Sequence, residues 1–273
     1  MNADLHSHSV FSDGTLTPEA LASRAHRNGV TLWSLTDHDT LDGQVSAQNA
    51  AVALGLSYLT GVEISASFLG KSIHIVGLGV DIQNLPLQQG LEHIRRGRWQ
   101  RGQAMASALE AAGIPDAWQG AMRFASHPET VSRAHFARYL VQQGICPTIH
   151  AVFQKYLVPG RPGYVPHQWV SLQDAVGWIG GAGGLAVIAH PARYRLTDMQ
   201  EYALLCAFKE CGGTGIEVVT GSHQPSEYSH YAAQAKHFGL KASRGSDFHC
   251  PKESRVDVGS LPALPPECVA VWE

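Results

Sequence analysis

The chain has 273 residues, enough for one large α/β domain or for one domain carrying a small insertion. Its 20 basic and 23 acidic residues leave a formal charge of −3, which excludes a protein that coats polyanions non-specifically. No apolar run reaches the ~18 residues of a membrane span, no secretory signal opens the chain, and five scattered cysteines without a CxxC pair argue against a disulfide framework or zinc knuckle, so a cytoplasmic protein with reduced thiols is expected.

In chain order, residues 3–8 read as a strand. Thr17-Pro18-Glu19 then opens a helix to about Asn28, with threonine as N-cap and proline in the first turn, and Gly29 stops it. Residues 32–36 are a short apolar run, read as a buried strand, and Asp42 is expected to cap a helix that Gly55 ends. Segments 58–63 and 72–79 follow as strands. From about 98 to 165 the pattern changes: 103–112 and 134–143 read as helices, with no clear strand between them. Helix and strand then alternate again, as helices 172–179, 201–210 and 226–238 and strands 185–189, 215–219 and 241–245, with 269–272 as a closing strand. Such alternation predicts parallel βα units in an open sheet or barrel, with the strand C-termini converging on one face. Residues 98–165 are expected to be a helical insertion between two barrel segments, 1–97 and 166–273.

The unusual count is histidine, at 15. In Asp4-Leu5-His6-Ser7-His8 the two histidines share one side of an extended chain and can grip one ion, and Asp13 follows closely. Thr36-Asp37-His38-Asp39 directly follows an apolar run; Asp and Thr there also suit an ordinary turn, but His38 does not. Glu63, between apolar neighbours, needs a cationic partner if buried, or else faces outward by alternation. His74 sits inside an apolar strand and, alone, reads more readily as a core histidine. His190 lies just past another apolar strand, and Asp247 with His249 repeats the i, i+2 pattern. Together they offer more nitrogen and oxygen ligands than one ion needs, which suits two or three first-row divalent ions: manganese foremost, or zinc or iron.

These motifs, in this order, resemble the PHP (polymerase and histidinol phosphatase) family of metal-dependent phosphoesterases, across nearly the whole chain. The resemblance implies a distorted (β/α)7 barrel with a trinuclear site. It places one metal on His6, His8, Glu63 and Asp247, a second on Glu63, His74 and His190, and a third on Asp13, His38 and His249. Within 98–165, the runs Thr130-Val131-Ser132-Arg133-Ala134-His135-Phe136-Ala137-Arg138 and Val152-Phe153-Gln154-Lys155-Tyr156-Leu157 resemble bacterial phosphatases of nucleoside 3′,5′-bisphosphates, whose relatives trim RNA 5′ ends.

The reaction so implied is hydrolysis of a 3′-phosphate by a metal-bound hydroxide, giving a nucleoside 5′-monophosphate, with no further catalytic side chain required. Arg133 and His135 would hold the second phosphate, with Arg193 as a further candidate; spacing alone reads Arg133 as a solvated helix-terminal charge, and the resemblance reverses that preference. Tyr156, Tyr164 or Trp169 would stack on the base, or merely pack between segments. A 5′→3′ exoribonuclease, a histidinol-phosphate phosphatase and a non-catalytic metal-binding module are the alternatives. The expected partner is a small nucleotide, with short RNA as the alternative and no membrane.

Overall fold

The computed structural model describes all residues from 1 to 273. Nine strands form two sheets. β1 (Ala3–Asp4), β2 (Leu32–Ser34) and β3 (Ser57–Leu59) make a parallel three-stranded sheet. The second sheet has the order β6-β4-β5-β7-β8-β9, from β4 (Gly61–Phe68), β5 (Lys71–Leu78), β6 (Val170–Ser171), β7 (Leu185–Ile188), β8 (Gly215–Thr220) and β9 (Lys241–Gly245). The single bridges Ser7–Phe248 and His38–Glu63 join the two sheets, and both fall at residues of the polar clusters.

The first helices follow the local signals closely. Thr17 caps α1 (Pro18–Arg27) by accepting from the Ala20 N–H at 3.3 Å. α2 (Gln44–Ala53) departs from expectation at its start: Gly43 is the N-cap, and Asp42 makes no capping bond. The buried Gln44 side chain instead donates to the carbonyls of Leu35 and Gly61 at 2.8 and 2.7 Å, tying the two sheets together.

The second sheet is not wholly parallel. β5 runs antiparallel to both β4 and β7. The cause is a two-residue hairpin at Leu69-Gly70, where both residues have positive φ, 47° and 73°. Two-residue turns of this conformation match the twist of antiparallel strands. The single strand expected at 58–63 is therefore two, split at Thr60 where the chain leaves one sheet for the other. The chain end carries only the bridge Ala242–Ala270, not a strand, and the amino-terminal ladder stops at Asp4.

Between β5 and β6 the chain is helical. α3 (Leu85–Ala111) leads to α4 (Ala117–Met122), α5 (Arg133–Gln142) and α6 (Ile149–Val152), with one further π-type turn over Phe153–Leu157. The boundary expected at 97/98 falls inside α3. Its buried positions 87, 91, 94, 98, 102, 105 and 109 form one continuous stripe of three- and four-residue steps. Leu87, Leu91 and Ile94 join the main core, while Met105 and Leu109 join a separate core with Phe136, Leu140 and Val152. The main core is closed by α7 (Leu172–Gly181), α8 (Asp198–Glu210) and α9 (Pro225–Phe238) against the larger sheet. No helix is long and apolar enough to cross a membrane.

Candidate metal centre

The strand ends aim their polar residues at one place. Past β1 and β9 the chain runs pair up, with the Asp247 N–H donating to the His6 carbonyl and the His8 N–H to the Phe248 carbonyl, each at 2.8 Å. Three residues beyond strand ends take positive φ: Asp39 after β2 at 54°, His190 after β7 at 27° and Asp247 after β9 at 55°. Such backbones cost about 1–3 kcal/mol each and persist where surrounding bonds hold them. Asp37 fastens the loop that carries His8 and Asp13, accepting from the Ser9 N–H at 2.8 Å and from the Ser9 and Ser12 hydroxyls at 2.6 Å.

All nine expected ligands come together. Glu63, fully buried on β4, is the hub: Oε1 lies 2.8 Å from His74 Nδ1 and 2.9 Å from His190 Nε2. Its Oε2 lies 2.9 Å from His38 Nδ1 and 3.3 Å from the Nε2 atoms of both His6 and His8. Asp247 Oδ1 stands 3.2 Å from His8 Nε2, and Asp13 Oδ1 stands 3.2 Å from His249 Nε2. Eight of the nine fall into three overlapping groups, His6-His8-Glu63-Asp247, His38-Glu63-His74 and His8-Asp13-His38-His249, whose ligand atoms lie within 4.8 Å of one another, and His190 stands outside them, joined to the cluster through Glu63 Oε1.

The donor chemistry fits divalent cations. Asp13 Oδ1, His38 Nδ1 and Glu63 Oε2 are buried without a hydrogen-bond partner, and each such atom costs about 1–3 kcal/mol. His6 Nε2 and His8 Nε2 face each other at 3.1 Å. Cations between these atoms would satisfy them, and mixed imidazole and carboxylate sets suit first-row metals. Burial resists charge throughout, yet the histidines hold the carboxyls of Glu63, Asp13 and Asp247 well below the usual range. Burial also opposes a proton on His8, but Asp247 and Glu63 outweigh it and raise that imidazole to about 9. Burial wins at His38, pushed down to about 4, and at His190, pushed down to about 3 with help from Arg193.

Beside the cluster opens a cleft of about 400 Å³, lined by Asp13, His38, His74, Asp247 and His249 on one wall and by arginines on the other. Arg98 donates to Asp39 Oδ2 at 2.6 Å and lies over the Trp169 ring. Arg193 donates to Asp247 Oδ2 at 2.7 Å, and Arg138 donates to Glu253 Oε2 at 2.8 Å. Arg101 and Arg133 have no carboxylate partner: Arg101 donates only to the Val165 carbonyl at 3.1 Å, and Arg133 lies over the Phe153 ring. Burial lowers the pKa of both, and crowding by neighbouring guanidiniums lowers it further.

His135 does not join them. It is fully buried in the N-terminal cap of α5, where Nδ1 accepts from the Ser132 N–H at 3.0 Å, and it does not line the cleft. The reason is local: a histidine three residues after a serine N-cap completes a capping box. Ser132 itself touches the cluster, its hydroxyl donating to Asp13 Oδ2 at 2.9 Å. Tyr164 and Trp169 line the cleft, whereas Tyr156 packs against the helical core. Sequence reasoning missed Arg98, Arg101, Phe153 and the buried Glu217. Glu217 carries the same signal that marked Glu63, an acid inside an apolar strand, and Arg98 is a cation on the buried stripe of α3.

Convergent strand ends bring together a buried cluster of imidazoles and carboxylates, a donor set suited to divalent cations, beside a cleft lined by arginines. The chain belongs to the PHP domain family, whose profile matches residues 4–248. It is 49% identical over 271 residues to the 3′,5′-nucleoside bisphosphate phosphatase of Chromobacterium violaceum, covering 99% of this chain and 95% of that one. It is 41% identical over 274 residues to the 5′-3′ exoribonuclease Rnm of Escherichia coli, covering 99% and 92%. A solved structure from Bifidobacterium adolescentis, described as a candidate metal-dependent phosphoesterase, superposes with a TM-score of 0.83 at 29% identity, covering 98% of this chain and 92% of that one.

Proposed function

We propose that the protein is a metal-dependent phosphatase that removes the 3′-phosphate of nucleoside 3′,5′-bisphosphates, releasing the nucleoside 5′-monophosphate. The observation that carries this reading is the pair Arg101 and Arg133, two guanidiniums without a carboxylate partner in the cleft that also exposes the ligand cluster. A substrate with one phosphate at the metals and another on these arginines satisfies both walls. The Chromobacterium violaceum relative supports this substrate class, and the Escherichia coli exoribonuclease supports the second reading below.

In this reading, the two sheets are a distorted PHP barrel and the helices within 98–165 are a cap over the substrate. His6, His8, Glu63 and Asp247 hold one ion, Glu63, His74 and His190 a second, and Asp13, His38 and His249 a third. Manganese is the first candidate, with zinc or iron also compatible. Divalent ions held there supply Lewis acidity and a water acidic enough to act as nucleophile near neutral pH. Arg133 and Arg101 anchor the 5′-phosphate through charge-assisted hydrogen bonds, fixing the distance from it to the phosphate that reacts. Arg193, half-exposed beside Asp247, turns its free N–H groups to the reacting phosphate. Tyr164 is the aromatic of the cleft offered to the base, since guanidiniums lie over the rings of Phe153 and Trp169.

One observation favours a second reading, a 5′→3′ exoribonuclease. A groove of about 910 Å³ shares Arg138, Ile149, Phe153, Arg193 and Glu253 with the cleft and continues to Val141 and Lys252. It has room for a polynucleotide attached to the 3′-phosphate. A histidinol-phosphate substrate, with one phosphate, leaves Arg101 and Arg133 unmatched. A non-catalytic module does not require the full ligand set that is assembled here.

The test uses manganese-loaded protein with adenosine 3′,5′-bisphosphate, adenosine 3′-monophosphate and a short 5′-phosphorylated RNA. Phosphate release from the bisphosphate is expected, with loss of activity in Asp13→Ala. Arg133→Ala should raise KM for the bisphosphate roughly 10- to 100-fold, the value of a charge-assisted hydrogen bond, and leave adenosine 3′-monophosphate unaffected. Efficient shortening of the RNA with the bisphosphate barely touched would replace the first reading by the second.

A further inference from the structure

Glu217 belongs to none of the three ligand groups, yet both its oxygens serve ligands. Oε1 lies 2.8 Å from His6 Nδ1, and Oε2 accepts from the His190 N–H at 2.6 Å. The carboxylate is 1% exposed, so nothing but these partners compensates its burial. β8 lies between β7 and β9, which puts Glu217 between the residue that follows β7 and the chain run beside β9. Two features of the fold are arranged around it. The register of β8 against β9 slips between Glu217 and Val219, and bulges of this kind re-aim side chains next to functional sites. Gly245 on β9 leaves the room: a Cβ there would stand 2.3 Å from His6 Cβ and 3.0 Å from Glu217 Oε1.

We infer that Glu217 is the positioning residue of the metal centre, holding the proton of His6 on Nδ1 and the backbone of His190 in its positive-φ conformation. An acceptor on Nδ1 fixes the proton there and leaves Nε2 with its lone pair toward Glu63, His8 and Asp247. The second oxygen ties down the peptide of His190, whose φ of 27° no ordinary strand end would keep. One carboxylate thus sets two imidazoles that contact opposite oxygens of Glu63.

Glu217→Gln preserves shape and breaks this arrangement. The amide has one acceptor: if it faces His190, its NH2 donates to His6 Nδ1 and drives the proton to Nε2. If it faces His6, two donors meet at the His190 N–H. Zinc titration of metal-stripped protein by calorimetry should show Glu217→Gln binding roughly 10- to 100-fold more weakly than wild type, with Glu217→Asp recovering part of the loss. The metal-free melting temperature, measured alongside, should change little. Equal zinc affinity in wild type and Glu217→Gln, or a lowered metal-free melting temperature with unchanged affinity, would overturn the inference. If Glu217→Gln does not fold, ¹⁵N chemical shifts of His6 in the zinc-loaded wild type decide: a proton on Nδ1 with the metal on Nε2 supports the role, and the reverse refutes it. The inference rests on His6 and His190 being ligands. Wild-type protein that takes up no zinc would remove that premise, whereas uptake by wild type and Glu217→Gln alike would remove only the role of Glu217.

Discussion

His135 shows how one buried side chain links a helix terminus to acid stability. Burial holds its imidazole down at about 4, against an ordinary value of 6.5, so the folded protein keeps it neutral while the unfolded chain takes up a proton first. Stability should therefore be full above pH 6.5 and fall as pH drops toward 4, by as much as ~3 kcal/mol from this residue alone. Glutamine is a usual partner at the same position of a capping box. His135→Gln should keep the helix cap and flatten the fall in melting temperature between pH 6.5 and 4 relative to wild type; parallel curves would disprove the assignment. The residue scale is also where legibility was uneven. Most of the nine candidate ligands stood out as polar groups within or just beyond apolar strands, but Glu63 and His74 had ordinary structural readings of their own, and the full set, Asp13 included, was drawn together by the family resemblance. His135 misled because a cap residue and a cleft residue have the same neighbours in sequence. Arg101 was silent, since an arginine in a helix is ordinary until the opposite wall is known.

The β4–β5 hairpin illustrates the scale of the element. Leu69 occupies a left-handed conformation that suits asparagine or glycine and costs a leucine about 1–2 kcal/mol. Its side chain is 61% exposed, so little packing is lost on replacement. Leu69→Asn creates an Asn-Gly turn of the favoured type and should raise the melting temperature by roughly 2–4 °C. A lower melting temperature would mean that the leucine side chain contributes more than its backbone costs. The same residue explains why the hairpin is not legible in the sequence: Leu-Gly carries none of the usual two-residue turn signal, so nothing in residues 64–71 announces a turn or an antiparallel strand. The βα units after β7 were legible from alternation, with helices expected at 201–210 and 226–238; α8 begins three residues earlier than expected, on the capping box of Thr197 and Gln200, and α9 ends at Gly239.

At the scale of the whole molecule, the mixed α/β class and the helical run between β5 and β6 could be read from alternation and its interruption, while the antiparallel β5 could not. The join between them could not, because α3 crosses it without a break. Its first half is built into the main core and its second half into the helical one, while Arg98, midway along the stripe, ties it to Asp39 beside His38. A helix shared in this way leaves neither core a separate existence. Melting the helical block would strip the far end of α3 of its cover, and a frayed α3 would uncover Leu87, Leu91 and Ile94 in the other core. The two cores should therefore come apart together, in a single calorimetric peak whose measured and van't Hoff enthalpies agree. Two separable peaks would show that α3 bends rather than transmits. If it transmits, α3 is a rigid lever, and any tilt of the helical block must be felt at Asp39, one residue from His38.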